Sequence, residues 1–287
     1  MPAGSMWGRA VHRIEDTPLL TGAASFTEDV AAEGALWAAF VRSTLAHARV
    51  TGIETGEARA MPGVAGVYTS EDLGLRPFAV ESGVPEGFAR QALVTDVVRF
   101  VGEAIAVVLA QTRPQAVDAA EAVLVDYEPL PVVTSPVRAE ETDAPVLFPG
   151  VGTNIALEEH ALEDASALED ADLVVRARFV NQRLAPLPLE PNAILAVPVG
   201  DGLEIWVPHQ APFSFRDELA EHLGLGPDEV HVIVPAVGGA FGSKAFVYPE
   251  QLCVAALALR LGRPVRFVES RSENLVAMYH GRAQVQD

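Results

Sequence analysis

Residues 232–250, VIVPAVGGAFGSKAFVYPE, set Gly238, Gly239, Gly242 and Lys244 between an apolar β-branched run and a proline-led apolar segment. Strand, glycine loop and helix is the layout of many cofactor sites, because glycines admit positive φ and let backbone amides close on an anion or oxo group. Two nucleotide motifs with this layout fail on spacing. A phosphate-binding P-loop ends in Gly-Lys-Ser/Thr, whereas Lys244 follows Ser243 and precedes Ala245. A dinucleotide fingerprint, Gly-x-Gly-x-x-Gly, opens directly into a helix, whereas these glycines are spaced differently and Gly242 stands well before Pro249. Two readings stay open: a tight strand-to-helix connection closed by a buried Phe241, or a loop whose amides approach a ligand.

Other chemistry-bearing residues narrow the field. Gln210 stands between a strand and a helix, where its carboxamide could donate to a ligand at the sheet edge or serve as a cap. Glu190, flanked by Pro188 and Pro191, could be a base or could form a structural salt bridge with an arginine. His12, His47, His160, His209, His222, His231 and His280 have no zinc-ligand spacing. Ser243 lacks a Gly-x-Ser-x-Gly elbow, which disfavours serine hydrolysis. Cys253 is the single cysteine and falls in an apolar helical run, as a buried thiol would. It excludes an internal disulfide and a [2Fe–2S] cluster held by this chain.

The elements that position these residues follow from periodicity and punctuation. Strands are predicted at Leu36–Arg42, in the continuous apolar run 102–110, and at Val123–Tyr127, with a helix starting at Pro114. VTGIETGEARAMPGVAGVYTSEDL reads as strand, short helix, Pro-Gly turn and strand. From 128 to 152 prolines cluster and periodicity fades, which predicts an extended inter-domain connection. Beyond it, strands are predicted at Leu173–Val180, Ala193–Val199, Leu203–Val207, Val230–Pro235 and within RPVRFVES, with helices at Phe213–Leu223 and Pro249–Leu261. Ala283–Val285 begins another alternation, and a chain stopping there would leave a sheet edge and apolar surface to be completed by a further polypeptide.

The 287 residues are 49% hydrophobic, enough for a substantial core in two domains. The net charge of −19, from 39 acidic against 20 basic residues, argues against nucleic-acid binding. The acidic residues are dispersed, with one modest cluster at Glu158–Asp172. The N-terminus has no signal-peptide core, and no apolar run approaches the ~18 residues of a membrane span. The expectation is a soluble, cytoplasmic protein without membrane insertion.

Taken together, these segments resemble the molybdenum hydroxylases, the family of xanthine dehydrogenase, aldehyde oxidase and aerobic carbon monoxide dehydrogenase. RIEDTPLLTGAASFTEDV, VRSTLAHARV, ARAMPGVAGVYTSEDL and VGEAIAVVLAQTRPQAVDAAEAVLVDYEPLPVV are similar to its N-terminal α/β-hammerhead domain. NQRLAPLPLEPNAILAV, HQAPFSFRDELAEHLGLGPDEVHVIVPAVGGAFGSK and RPVRFVESRSENLVAMYHGR are similar to the start of its molybdopterin-binding region. The resemblance implies an α+β chain: a hammerhead domain at 1–135, a linker at 136–152, and the first part of a mixed α/β molybdopterin-binding domain at 153–287.

The same resemblance assigns roles. The family loop Gly-Gly-x-Phe-Gly-x-Lys is matched by Gly238 to Lys244, with Ala240 where a third glycine is usual. Phe241 and Gly242 inherit backbone contacts to an oxygen ligand of molybdenum, and Gly239 and Ala240 the adjacent pterin contacts. Gln210 inherits a hydrogen bond to the metal's oxygen ligand, while His209 replaces the usual small hydroxyl residue. Ala245 stands where purine-oxidising members carry a substrate-binding glutamate, which disfavours xanthine-type substrates. APLPLEP and the GSK ending are more similar to the carbon monoxide dehydrogenase-like branch, which also includes hydroxylases of N-heteroaromatics and dehydrogenases of aldehydes. No residue is matched to the family's general-base glutamate, so no catalytic residue is assigned on this chain. The implied enzyme hydroxylates or oxidises a small organic substrate with water as oxygen source. Its molybdenum–molybdopterin, as the cytosine dinucleotide, is shared with a chain supplying the rest of a split large subunit, and [2Fe–2S] and FAD reside on other subunits. A non-catalytic scaffold or cofactor-delivery subunit, or a truncated fragment, is the alternative.

Overall fold

The computed structural model describes Gly8, residues 10–159 and residues 171–287, so His160 and most of the acidic cluster lie outside the described residues. A short helix, α1 (Asp16–Thr21), precedes β1 (Leu36–Arg42), β2 (Ala48–Glu54), α2 (Gly56–Ala60), β3 (Val64–Thr69) and α3 (Ser70–Leu73). Next come β4 (Val97–Val98), β5 (Ala104–Ala110), α4 (Arg113–Glu121), β6 (Leu124–Pro129) and α5 (Pro136–Ala139). The second stretch carries β7 (Phe179–Asn181), β8 (Ala193–Val199), β9 (Gly202–Trp206), α6 (Pro212–Leu223) and β10 (Val230–Ile233). It ends with α7 (Pro249–Leu261), β11 (Val265–Val268), α8 (Arg271–Ala277) and β12 (Gln284–Gln286).

Seven of these strands form one mixed sheet in the order β10-β9-β8-β11-β1-β5-β3. It runs without a break across the expected domain boundary, because β1 pairs in parallel with β11, Leu36 opposite Val265. The seam is reinforced by side chains from both stretches. Phe40 meets Phe267 edge to face at 5.0 Å, and Arg42 bonds Glu250 of α7 at 2.6 Å and Glu273 of α8 at 2.9 Å. A separate three-stranded sheet, β4-β2-β6, completes the first stretch.

Packing explains why the elements sit where periodicity puts them. All seven residues of β5 are buried, as its unbroken apolar run requires of a strand covered on both faces. Ala116 and Ala119 of α4 cover one face, next to Ala39, Val41 and Val108. Leu252, Val254, Leu257 and Ala258 of α7, with Phe215 and Leu219 of α6, join the cluster that holds Leu36, Ile194 and Phe267. Pro249 opens α7 in its first turn, and Gly262 at φ +59 closes it in the left-handed conformation that glycine takes without steric cost. Cys253 is fully buried there, and burial pushes its thiol well above the ordinary range.

Two sequence expectations change. The strand expected over Leu173–Val180 is confined to β7, which pairs with β12 in an isolated ribbon that exposes Phe179 and Val180. The proline-rich 128–152 segment contains the helical turn α5 and is strapped down rather than simply extended. The Asn154 carboxamide accepts from Leu147 N–H at 2.9 Å and donates to the Ala139 and Pro145 carbonyls. Arg99 lies over the Phe148 ring at 4.5 Å. No described helix is long and apolar enough to cross a membrane.

Candidate functional site

The glycine loop leaves β10 and is held against two other pieces of chain. The first is the irregular strap at 188–190. Glu190 N–H donates to the Gly238 carbonyl at 3.1 Å, and Gly238 N–H donates to Glu190 Oε2 at 2.8 Å. A Cβ at Gly238 would stand 2.5 Å from Glu190 Cβ, so only glycine permits this approach. The strap is itself anchored by Arg271 of α8, whose guanidinium donates to the Pro188 carbonyl at 2.5 Å and the Leu189 carbonyl at 3.2 Å.

The second is the turn after β9. Gln210 N–H donates to the Lys244 carbonyl at 2.8 Å, and Gln210 Oε1 accepts from Gly242 N–H at 3.1 Å and Lys244 N–H at 3.3 Å. Two backbone donors on one carboxamide oxygen settle which way the amide faces, so Nε2 is the end left to donate outward. Lys244 ends the loop in the interior, only 1% exposed, with Nζ donating to the Glu190 carbonyl at 2.8 Å and to Oε2 at 3.1 Å. Burial pushes the Lys244 ammonium below its ordinary range, and the charge of Glu190 opposes that shift. Glu190 pairs with this lysine, not with an arginine as its proline-flanked setting suggested.

Between these anchors the backbone is unusual. Gly239, Phe241 and Gly242 have φ of +100, +54 and +87. For phenylalanine this left-handed conformation costs on the order of 1–2 kcal/mol, and burial of the ring does not offset it. Phe241 is 74% exposed and folds back over Gly239, whose added Cβ would meet the ring at 3.0 Å. The tight connection closed by a buried aromatic is thus excluded. Ser243 fastens the turn from inside, its hydroxyl donating to the Ala240 carbonyl at 2.6 Å. Among the described residues none accepts a hydrogen bond from the N–H groups of Gly239, Ala240 or Phe241, whereas the Gly242 N–H is spent on Gln210.

His209, beside Gln210 in sequence, points elsewhere. It is buried against the Phe215 ring at 4.7 Å. Nδ1 accepts from Ala211 N–H at 3.0 Å, so the ring proton sits on Nε2, which faces the Phe246 carbonyl at 3.3 Å. Burial lowers its pKa, so the ring is a neutral cap on α6 rather than part of the loop. The other described histidines are dispersed: His12 exposed near the N-terminus, His47 on the Pro131 carbonyl, His222 against Phe78, His231 on Glu204 and His280 on the Leu275 carbonyl. Among the described residues no group of three His, Cys, Asp or Glu side chains lies together as a metal site.

The arrangement is therefore a polar wall: consecutive unengaged amides, one outward carboxamide N–H₂ group and left-handed glycines, set on a buried ion pair. Such donors suit an oxygen-rich or anionic group held by hydrogen bonds. The donor set fits a molybdenum–pterin cofactor, whose metal is carried by the organic ligand and not by protein side chains. Two surface clefts, of about 310 and 360 Å³, lie at the β8–β9 turn and between α3, α6 and α7, away from this wall.

Comparison with known proteins agrees with that chemistry. Residues 147–287 match the molybdopterin cofactor-binding domain, and residues 21–131 match the a/b hammerhead domain of aldehyde oxidase and xanthine dehydrogenase. The chain is 36% identical over 285 residues to the nicotine 6-hydroxylase large subunit of Paenarthrobacter nicotinovorans, covering 96% of this chain and 35% of that one. It is 35% identical to the carbon monoxide dehydrogenase large chain of Afipia carboxidovorans, covering 92% and 34%. The crystal structure of quinoline 2-oxidoreductase from Pseudomonas putida 86 superposes with a TM-score of 0.88 at 35% identity, over 97% of this chain and 36% of that one. The chain thus spans about a third of the length of these relatives.

Proposed function

Because the chain belongs to the molybdenum hydroxylase family, we propose that it builds one wall of a molybdenum-cofactor site in an enzyme that hydroxylates or oxidises an aldehyde or N-heteroaromatic. In this reading residues 1–135 are the hammerhead domain, 136–152 the linker and 153–287 the first molybdopterin-binding portion. The observation that carries it is the set of unengaged amides at Gly239, Ala240 and Phe241 beside the outward carboxamide of Gln210.

When bound, the molybdenum cofactor supplies the two-electron oxidation, with water as oxygen source. Gln210 Nε2 and the Phe241 N–H would donate to the metal-bearing end of the group, while the Gly239 and Ala240 amides would hold the pterin. Gly242 joins them indirectly, by holding the Gln210 carboxamide in register through Oε1. Preorganised donors of this kind need no rearrangement during the reaction. Glu190 is not the general base, since its carboxylate is committed to Lys244 and Gly238. That base, and the remaining cofactor contacts, belong to the part of the relatives' large subunit not spanned here, whether continuous with this chain or on another polypeptide. We further assign the cofactor as a cytosine dinucleotide, and [2Fe–2S] and FAD to other subunits that carry the electrons away.

The test is purification from the native host of the assembly containing this chain, with metal analysis and acid release of the pterin nucleotide. Molybdenum, iron, flavin and cytidine monophosphate should co-purify with it. Recovery of the chain free of molybdenum, flavin and iron would sink the proposal, and a different nucleotide would overturn the cofactor form alone.

A further inference from the structure

We propose that Glu190 and Lys244 are a positioning pair whose charge interaction sets the attitude of the 239–242 backbone toward the cofactor, an inference that rests on the function proposed above. The pair closes the loop at both ends. Glu190 Oε2 takes the N–H of Gly238, the residue that enters the turn, and the ammonium of Lys244, the residue that leaves it. Lys244 returns a second bond to the Glu190 carbonyl at 2.8 Å. One carboxylate and one ammonium therefore fix the distance between the two feet of the turn.

Between the feet the turn's own hydrogen bonds are those of Ser243, whose hydroxyl and N–H both donate to the Ala240 carbonyl, and they leave the Gly239–Phe241 backbone to be set from outside. Gly239, Phe241 and Gly242 occupy left-handed conformations, and the Phe241 ring is exposed, so neither local preference nor burial maintains the shape. Strained backbone persists only where its surroundings over-determine it. Here those surroundings are the ion pair below and Gln210 Oε1 at the side, which takes Gly242 N–H and Lys244 N–H. Because Lys244 supplies both an ammonium to Glu190 and an amide to Gln210, displacing it moves the Gln210 carboxamide too.

The pair also carries an unmet cost. Glu190 is 13% exposed at its side chain, and Oε1 is buried with no hydrogen-bond partner among the described residues. A buried acceptor without a donor is destabilising. Burial also works against the charge on Lys244. A buried ion pair with one unsatisfied oxygen is weak evidence for stability, whereas its place at the base of the loop assigned to the cofactor fits a positioning role.

The test uses the assembled enzyme with Glu190→Gln, which keeps an acceptor for Gly238, and with the double variant Glu190→Gln/Lys244→Met, which leaves no buried unpaired charge. Turnover should fall roughly 10- to 100-fold with KM within about twofold, as for groups that orient a metal site from behind. Molybdenum content should stay at the wild-type level, and the Mo(V) electron paramagnetic resonance spectrum should shift. Amide exchange over residues 238–244 should quicken in cofactor-free protein as well. Wild-type turnover and spectrum in a molybdenum-loaded variant, or activity lost only in proportion to molybdenum, would overturn the positioning role. A wild-type assembly without molybdenum would instead refute the function on which it rests, before any variant is compared.

Discussion

Glu269→Gln should flatten a specific part of the protein's pH dependence of stability. Glu269 follows β11 and is 3% exposed. Its Oε2 accepts from Asn192 N–H at 3.0 Å and from Asn274 Nδ2 at 2.7 Å. Desolvation pushes its pKa up from 4.5 to about 7; the nearby charge of Glu250 adds to the shift, while Asn274, Asn192 and Arg42 oppose it. The folded protein therefore holds this proton more tightly than the unfolded chain does. The resulting stability is fully present below pH 4.5 and is lost as pH rises to about 7. At about 1.36 kcal/mol for each pH unit, the full change is roughly 3 kcal/mol. Glutamine keeps the acceptor for Asn192 and Asn274 but cannot titrate. Urea unfolding followed by tryptophan fluorescence at several pH values should show wild-type stability falling by that amount relative to the variant. A difference that stays constant within about 0.5 kcal/mol, or that grows with pH, refutes the reasoning.

Other outcomes follow from the same geometry. Gln210→Ala should lower turnover of the assembled enzyme about 100-fold while subunits and molybdenum stay bound, checked by steady-state kinetics and metal analysis. Phe241→Gly removes an exposed ring from a left-handed position, so unfolding experiments should find stability unchanged or raised by up to about 1 kcal/mol. Arg42→Met strands Glu250 and Glu273 at the seam of the sheet and should cost about 3–5 kcal/mol. Much of that loss should return in Arg42→Met/Glu250→Gln, measured by the same unfolding assay.

Much of the fold was legible because local signals were strong and agreed with one another. The continuous apolar run of β5, the bounds of β1 and β8, and the Pro249–Leu261 helix between a proline and a glycine were all read from sequence. Gln210 and the glycine loop were likewise singled out, and the structure brings them into direct contact. What sequence could not show depends on distant pairings. Lys244 looked like the end of a motif, and only the fold brings the 188–190 strap beneath it. His209 reads as a neighbour of the site, but the turn before α6 sends its ring into the core. The strand expected at Leu173–Val180 shrank to β7 because only its last residues find a partner, β12.

The parallel pairing of β1 with β11 has a consequence for synthesis on the ribosome. β5 can dock on β1 and β3 on β5 early, since all three lie in the first stretch. The other edge of β1 has no pairing partner until Val265–Val268 has left the exit tunnel. Until then Leu36 and Phe40 lack the helix and strand that bury them. The nascent first stretch must therefore wait with an apolar seam exposed, an interval that favours chaperone capture and makes the pace of translation a determinant of yield.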